Sequence, residues 1–421
     1  MKRAMLFFLL LTTGLTAQTV PLATDLPSHP FFIRNTWFIG GVGNWDYLTM
    51  DAQAGRLYIA HGTAVQVVDV GSGNQVGTIQ GLYEARQVTL DDTGEVGYVS
   101  DGGQGKVFVF DRQTLKKTGE IDTGANSRSL VYDSLTKLLF VVRANPPAEA
   151  PTRAEERRRP PAREGPAAEV TTTSKVTVVD TQSEAVIGEI TLPGLLGFAV
   201  VDNSDQVYVA STDRSEVFRF DAQAVSNLMH PPLERASASA GKAAAVPSGE
   251  QAAAPISLDW TGDQHAQNPA EGHLRVFRLD PECADPRSLA IDNAHLRLFA
   301  ACDNRRLIVL NTGTGDKVTS LSIGPGVDAV GYDAEHGLIF TANGGAEGSM
   351  TIIRQDVTDT YAVIQTLPTR QRASTLAVDP TTGAVYLVTD YLGVDLNRPG
   401  GIGTLVQRPV TGSFQVLKIS N

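Results

Sequence analysis

Residues 288–300 read Ser-Leu-Ala-Ile-Asp-Asn-Ala-His-Leu-Arg-Leu-Phe-Ala, and this stretch carries the pattern that decides the fold. Apolar Leu289 and Ile291 lie three and one residues before Asp292, and the aromatic Phe299 follows the aspartate by seven residues. The pattern occurs seven times, with the aromatic one residue closer in a single copy. Its aspartates are Asp51, Asp91, Asp133, Asp202, Asp292, Asp333 and Asp379, and its aromatics are Tyr58, Tyr98, Phe140, Tyr208, Phe299, Phe340 and Tyr386. Such regular spacing indicates an internal repeat.

The number of residues between successive aspartates gives the length of the repeat. Four of the six intervals are 40 to 46 residues long, and the other two, of 69 and 90 residues, each contain an insertion. This period, combined with short β-branched and aromatic runs, is typical of four strands per repeat. The sequence therefore predicts an all-β, seven-bladed β-propeller with four-stranded antiparallel blades over residues 28–421. In each blade we expect the aspartate to fix a turn and the aromatic to fill the space between blades.

The last repeat lacks one strand. Ser413–Ile419 is a candidate third strand of repeat seven, and no further strand-like run follows it. Phe31–Ile39, before the first repeat, can supply the missing fourth strand. We therefore expect the N-terminal strand to close the ring, because closure removes the unpaired sheet edges.

Three segments depart from the repeat. Residues 144–173 are rich in proline, arginine and glutamate and include Arg157-Arg158-Arg159, whereas residues 223–272 are rich in alanine, serine and proline. Both compositions are typical of loops without a core of their own. Residues 391–411 form a third long connection. By strand count, the first and third segments lie between second and third strands, and residues 223–272 lie on the opposite face.

Residues 1–17 have the pattern of a secretory signal peptide. Lys2 and Arg3 precede the apolar run Ala4–Leu11, and small residues continue to Ala17, which is the order of features that directs export. The apolar run is too short to span a bilayer. We therefore expect a periplasmic or secreted protein that is not integral to a membrane.

The chain contains two cysteines, too few for a disulfide-rich scaffold or a four-cysteine zinc site. Cys283 comes just before the first strand of repeat five, and Cys302 just after its second strand. Antiparallel pairing would bring these positions together at one end of the hairpin. We predict a disulfide between them, since the protein is expected to be exported. A buried pair of free thiols is the alternative.

Several stretches resemble one known family. They include Trp45-Asp46-Tyr47-Leu48, Tyr98-Val99-Ser100-Asp101-Gly102, Ser288-Leu289-Ala290-Ile291-Asp292 and Leu376-Ala377-Val378-Asp379-Pro380. Together they are similar to the YncE-like branch of the YVTN-type β-propellers. The resemblance implies a secreted or periplasmic seven-bladed ring. It carries over no catalytic residue, and nucleic-acid binding is among the roles suggested for such proteins.

In a propeller, the starts of the first strands and the loops between second and third strands share one face, called here the funnel face. Arginines precede first strands in four repeats, and a ring of them would attract anions in a chain of formal net charge −11. Alternatively, each arginine pairs with a neighbouring acid. His61, at a glycine-flanked strand end, is more often a structural residue than a ligand. The candidate ligand-binding residues are Trp45, Asp46, His61, Arg86, Arg128, Arg287, Asp328 and Arg372.

The leading hypothesis is an exported, non-catalytic propeller that binds an anionic ligand or a macromolecular partner at the funnel face. The sequence has no P-loop, no G-x-S-x-G motif and no paired zinc-binding histidines, which weakens the case for a common hydrolase or dehydrogenase without excluding an enzyme, since propellers build sites from residues far apart in sequence. We name no catalytic residue, no metal ligand and no cofactor, and we expect a monomer. Two alternatives stay open. A lactonase-like or other hydrolase would need Asp46, His61 and Asp328 to converge. A single-stranded nucleic-acid binder would use the arginines, with Trp45 and Tyr47 as stacking surfaces.

Overall fold

The computed structural model describes residues 30–144, 172–230, 256–260, 274–279, 281–356, 359–399 and 405–421. Its strands form seven successive antiparallel blades around a central channel, each with four strands from its own repeat or, in blade 7, from both ends of the chain. The predicted all-β, seven-bladed propeller is therefore confirmed. The signal-peptide prediction for residues 1–17 and the run Arg157–Arg159 lie outside the described residues.

The strands are numbered in chain order, and each blade is given from the channel outward. Blades 1 to 3 consist of β2 (Trp45–Asp51), β3 (Arg56–His61), β4 (Ala64–Asp69) and β5 (Gln75–Ile79); β6 (Ala85–Leu90), β7 (Val96–Asp101), β8 (Lys106–Asp111) and β9 (Lys117–Asp122); and β10 (Ser127–Asp133), β11 (Leu138–Arg143), β12 (Thr173–Asp180) and β13 (Ala185–Pro193). Blades 4 and 5 consist of β14 (Leu196–Val201), β15 (Gln206–Ser211), β16 (Glu216–Asp221) and β18 (Leu274–Arg278); and β19 (Pro286–Asp292), β20 (Arg297–Cys302), β21 (Arg306–Asn311) and β22 (Lys317–Ser322). Blades 6 and 7 consist of β23 (Val327–Asp333), β24 (Leu338–Asn343), β25 (Ser349–Gln355) and β26 (Tyr361–Pro368); and β27 (Leu376–Val378), β28 (Val385–Thr389), β31 (Gln415–Ser420) and β1 (Phe32–Phe38).

Both ends of the described chain meet in blade 7. The N-terminal strand β1 pairs antiparallel with β31, from Phe32 opposite Ser420 to Phe38 opposite Gln415. Phe31 extends the contact to blade 6, where its N–H donates to Gln365 Oε1 at 2.8 Å and its carbonyl accepts from Gln365 Nε2 at 2.9 Å. The predicted closure of the ring by the N-terminal strand is confirmed.

The repeated aspartate and aromatic have the structural roles expected of them. In blade 5, Asp292 is 1% exposed and its Oδ1 accepts a hydrogen bond from the Ala294 backbone N–H at 3.0 Å. Its other oxygen accepts from Gln355 Nε2 of blade 6 at 2.8 Å, so the same carboxylate also joins two blades. Phe299 is fully buried and packs with Val330 of blade 6. Repeated interfaces of this kind hold the first strands in a ring around the channel.

The described parts of residues 223–272 contain regular structure. Helix α1 (Ala222–Met229) begins at Asp221, whose side chain accepts from the Ala224 N–H at 2.7 Å, as a helix N-cap does. β17 (Ile256–Asp259) pairs in parallel with β13, and so adds a fifth strand to the outer edge of blade 3. The alanine-rich composition predicts a loop in which residues 256–260 can pack down; the strand agrees with this prediction and the helix differs from it. The helix forms because its apolar side, including Met229, packs against the same core cluster as Trp260.

Two further connections shape the surface. Residues 391–411 include the two-stranded hairpin β29 (Leu392–Pro399) and β30 (Leu405–Pro409). Cys283 and Cys302 form a disulfide with their Cα atoms 5.4 Å apart, at the end of the β19–β20 hairpin where antiparallel pairing was expected to bring them. Within the described ranges, no helix has the length and apolar character needed to cross a membrane.

Candidate functional site

A ring of seven equivalent residues surrounds the channel on the funnel face. Each member lies five residues before the repeated aspartate of its own blade. In six blades it is the second residue of the first strand. From blade 1 to blade 7 the members are Asp46, Arg86, Arg128, Gly197, Arg287, Asp328 and Ser374. All seven line one cavity of about 420 Å³, called here the funnel cavity.

A β-bulge explains why these side chains reach the cavity. In blades 1 to 6, the pairing of the first and second strands slips at the ring residue, for example between Ser127 and Ser129, on either side of Arg128. A bulge leaves one residue out of the ladder and re-aims its side chain. Six bulges at the same position therefore turn one strand residue in each of blades 1 to 6 toward the channel.

The arginines of the ring differ in how they are compensated. Arg86 NH1 lies 2.9 Å from Asp46 Oδ2, and its NH2 lies 2.6 Å from Glu84 Oε1. Arg287 NH2 lies 2.7 Å from Asp285 Oδ2. Arg128 is exposed and forms no ion pair with any described residue. Two of the three arginines in the ring are thus paired with a neighbouring acid, and Arg128 has no such partner among the described residues.

The carboxyl groups of the cavity are held in an unfavourable environment. Burial raises the pKa of Asp46 to about 6, against the opposing hydrogen bond and charge of Arg86. Burial also raises the pKa of Asp328, which a hydrogen bond with Ser374 offsets only in part. The pKa of Asp285 is raised for the same reason, although the positive charge of Arg287 opposes it. Desolvation disfavours the charged form of each group. A ligand that donates hydrogen bonds to these carboxylates, or places a positive charge beside them, would therefore bind favourably here.

Two aromatic rings meet where the funnel cavity adjoins a second cavity. Tyr47 lines the cavity, and its ring lies 4.7 Å, centroid to centroid, from that of Phe198 in blade 4. Burial raises the pKa of the Tyr47 hydroxyl, so this group stays neutral. Below the pair, the first strands line a second cavity of about 510 Å³, with Phe198 in its wall. The channel is therefore divided into a charged upper part and a lower part of more apolar side chains.

Two of the candidate residues lie outside the funnel cavity. His61 is 5% exposed, with Nδ1 2.7 Å from Gln66 Oε1 and Nε2 3.2 Å from the Gly43 carbonyl. Its ring also packs on Phe414, at 4.0 Å between centroids. His61 borders a different, smaller cavity, so Asp46 and Asp328 share a cavity without it.

Arg372 lies above the ring, not in it. It precedes Asp379 by seven residues, so Ser374 occupies the ring position of blade 7. Its NH1 lies 3.3 Å from Asp390 Oδ2, and its guanidinium carbon lies 4.6 Å from the centroid of the Trp45 ring. Trp45 itself lines the funnel cavity. Arg372 therefore covers one wall of the cavity from outside.

The sequence analysis missed several residues of the lining. Asp285 and Thr375 are both in the wall, as are Gly197 and Ser374 of the ring. The two ring members could have been found from the fixed offset of five residues before each repeated aspartate. Thr375 Oγ1 and Asp285 Oδ1 are buried and have no hydrogen-bond partner among the described residues. In the same part of the chain, no group of three His, Cys, Asp or Glu side chains is placed to hold a metal ion.

Comparisons with known proteins bear on the fold. No protein-family model matches the chain, and no curated protein matches it in sequence. Among solved structures, a chain of the crystal structure of the mitotic checkpoint complex is similar, with a TM-score of 0.57 and 14% identity over 91% of this chain and 96% of that chain. At this identity the likeness concerns the fold alone, and it agrees with the seven-bladed ring described above.

Proposed function

We propose that this protein is an exported, non-catalytic β-propeller of the YncE-like branch that binds a small anionic ligand in the funnel cavity. The observation that carries the proposal is the Arg128 guanidinium, which lines the cavity and has no ion-pair partner in the described structure. Arg287 follows two blades further on. Between them lies Gly197, so no side chain fills the intervening ring position. An anionic group placed there would be bound by charge-assisted hydrogen bonds.

The shape of the cavity favours a small ligand over a macromolecular one. Its volume of about 420 Å³ is within the range of small-molecule sites. Tyr47 lines the cavity and contacts Phe198, which lies in the wall of the lower cavity, so we place the entrance for a ligand at the funnel face. Export is supported by the disulfide between Cys283 and Cys302, because disulfides persist in oxidising compartments.

The two alternatives have less support. A hydrolase built on Asp46, His61 and Asp328 lacks its histidine at the cavity, since both His61 nitrogens are engaged elsewhere. A nucleic-acid binder would need free aromatic faces. Tyr47 packs against Phe198, and Trp45 contacts both Arg372 and Phe414, at 4.6 and 5.1 Å from its ring centroid. Both rings therefore already have partners, which leaves less of their faces for stacking on a base.

The test of the proposal is calorimetric titration of the full chain with butane-1-sulfonate, whose charge is constant over the useful pH range. Arg128→Gln should weaken binding about tenfold, the usual effect of losing a hydrogen bond to a charged group. Arg275→Gln is the matched control, because Arg275 is exposed on the outer strand β18 of blade 4. Added salt should weaken binding to the wild type. Absence of binding, or equal effects of the two substitutions, would contradict the proposal.

A further inference from the structure

The charges of the ring are segregated around the channel. The acidic members Asp46 and Asp328 lie in blades 1 and 6, with the hydroxyl of Ser374 between them in blade 7. Arg128 lies in blade 3, which is three blades away from blade 6 and so on the far side of a seven-membered ring. The funnel cavity therefore has a basic side at Arg128 and an acidic side across blades 6, 7 and 1.

The acidic side has unused hydrogen-bonding capacity. Asp328 forms no ion pair with any residue that the structure describes. Thr375 is 5% exposed and lines the cavity, and its buried Oγ1 has no hydrogen-bond partner in the described structure. Arg372, the nearby cation of blade 7, is engaged with Asp390 at 3.3 Å. Buried polar groups in native proteins are nearly always hydrogen-bonded, so these groups indicate a ligand that donates hydrogen bonds.

We infer that the ligand of the funnel cavity is a small zwitterion, with its anionic group at Arg128 and a primary ammonium group facing Asp328, Thr375 and Asp46. This inference rests on the proposed function and specifies its ligand class. An ammonium group has three donors and no acceptor, which matches two carboxylates and a threonine oxygen. Burial raises the pKa of Asp328, which has no ion-pair partner among the described residues, so a cation placed beside it would stabilise its charged form.

The test compares probes that differ only in the ammonium group. Ethane- and butane-1-sulfonate are each titrated into the full chain beside 2-aminoethane- and 4-aminobutane-1-sulfonate, at pH 8, where the carboxylates and the amines are both charged. Two chain lengths are used so that the distance between the charges is also probed. At one of these lengths the amino compound should bind about tenfold more tightly than its unsubstituted partner, because hydrogen bonds to charged groups are the stronger kind.

Asp328→Asn separates a binding role from a structural one. This substitution should weaken the binding of the aminosulfonate about tenfold. It should strengthen the binding of the alkylsulfonate, because it removes a negative charge from the cavity. Asp316→Asn, at an exposed turn outside the cavity lining, is the matched control and should change neither. The inference would be overturned if Asp328→Asn changed the affinities for both probes in the same direction. Equal affinities for the amino and the unsubstituted compound at both chain lengths would also overturn it.

The two proposals can fail separately. If the alkylsulfonates bind through Arg128 and the amino group adds nothing, anion binding stands and the zwitterion is excluded. If the aminosulfonates bind and Arg128→Gln has no effect, the anionic group does not lie at Arg128, and both proposals fail even though the ammonium is recognised. If no probe binds, both proposals are overturned.

Discussion

Tyr47 of blade 1 and Phe198 of blade 4 meet across the central channel, with their ring centroids 4.7 Å apart and their planes inclined by 54°. The two rings come from strands on opposite sides of the ring, and together they separate the funnel cavity from the more apolar cavity below. The contact therefore sets the depth to which a ligand can enter. It also gives the proposed site a selectivity for chain length that can be measured.

Removal of the Phe198 ring should extend the site downward. In Phe198→Ala we expect octane-1-sulfonate to bind at least about tenfold more tightly than it binds to the wild type, because each methylene transferred to an apolar surface contributes about 0.8 kcal/mol. Butane-1-sulfonate is too short to reach the space that the substitution opens, so its affinity should stay the same. Calorimetry with both probes measures the difference. Equal affinity of the variant and the wild type for the octyl compound would show that the pair is not the floor.

Anion binding should strengthen as the pH falls. Burial raises the pKa of Asp46 to about 6, so this carboxyl is charged at pH 8 and mostly protonated at pH 5. Protonation removes a negative charge from the cavity and weakens the hold of Asp46 on Arg86. The affinity for butane-1-sulfonate should therefore rise roughly three- to tenfold from pH 8 to pH 5.

The matched variant for this pH dependence is Asp46→Asn. It should lose the part of the dependence centred near pH 6 and retain what Asp285 and Asp328 contribute, because burial raises the pKa of both groups. Titrations of the two proteins with the same sulfonate at pH 5, 6, 7 and 8 make the comparison. Superimposable curves would rule out Asp46 as the titrating group.

The repeated aromatic should be a main source of stability. Phe299 is fully buried between blades 5 and 6, and Phe299→Ala should lower the free energy of unfolding by about 3–5 kcal/mol. Leu135→Ala is the control, since Leu135 is 66% exposed, and it should change the free energy by less than about 0.5 kcal/mol. Urea denaturation followed by circular dichroism measures both. Similar losses in the two variants would mean that the space between the blades is not where this stability arises.

The disulfide should stabilise the fold under oxidising conditions. Cys283 and Cys302 are 19 residues apart in sequence, and closing a loop of this length contributes about 3 kcal/mol. The double variant Cys283→Ser, Cys302→Ser should unfold at correspondingly lower denaturant concentration. A reducing agent should shift the wild type toward the variant and leave the variant unchanged. A wild-type midpoint that does not respond to reduction would contradict this prediction.

The fold could be predicted because its signal is local and repeated. The turn at Asp292 is fixed by hydrogen bonds from backbone N–H groups a few residues further along the chain. Phe299 follows at a fixed distance and packs against blade 6. The same register locates the ring of the funnel cavity, since Arg128 and Arg287 each precede a repeated aspartate by five residues. Arg372 is displaced from that register by two residues, and the structure places it above the cavity, on Trp45.

The pairing of the charged and polar side chains in the site could not be predicted in the same way. Whether an arginine is paired depends on contacts between residues far apart in sequence, such as Asp46 and Arg86, which are 40 positions apart. The bulge that re-aims each ring residue leaves no distinct mark in composition. For His61, the partner that occupies its Nδ1 is Gln66, on the next strand, and a strand pairing must be known before that bond can be foreseen. The fifth strand of blade 3 likewise comes from an insertion in blade 4.

The pairing of β1 with β31 has a consequence for biosynthesis. Of all the described strands, β1 is translated first and β31 last, yet the two are adjacent in blade 7. β1 cannot form this pairing until β31 has been synthesised and released from the ribosome. A chain truncated before Gln415 would lack β31 and would therefore have no partner for β1 in blade 7. The order of synthesis thus makes ring closure a late step in the folding of the described strands.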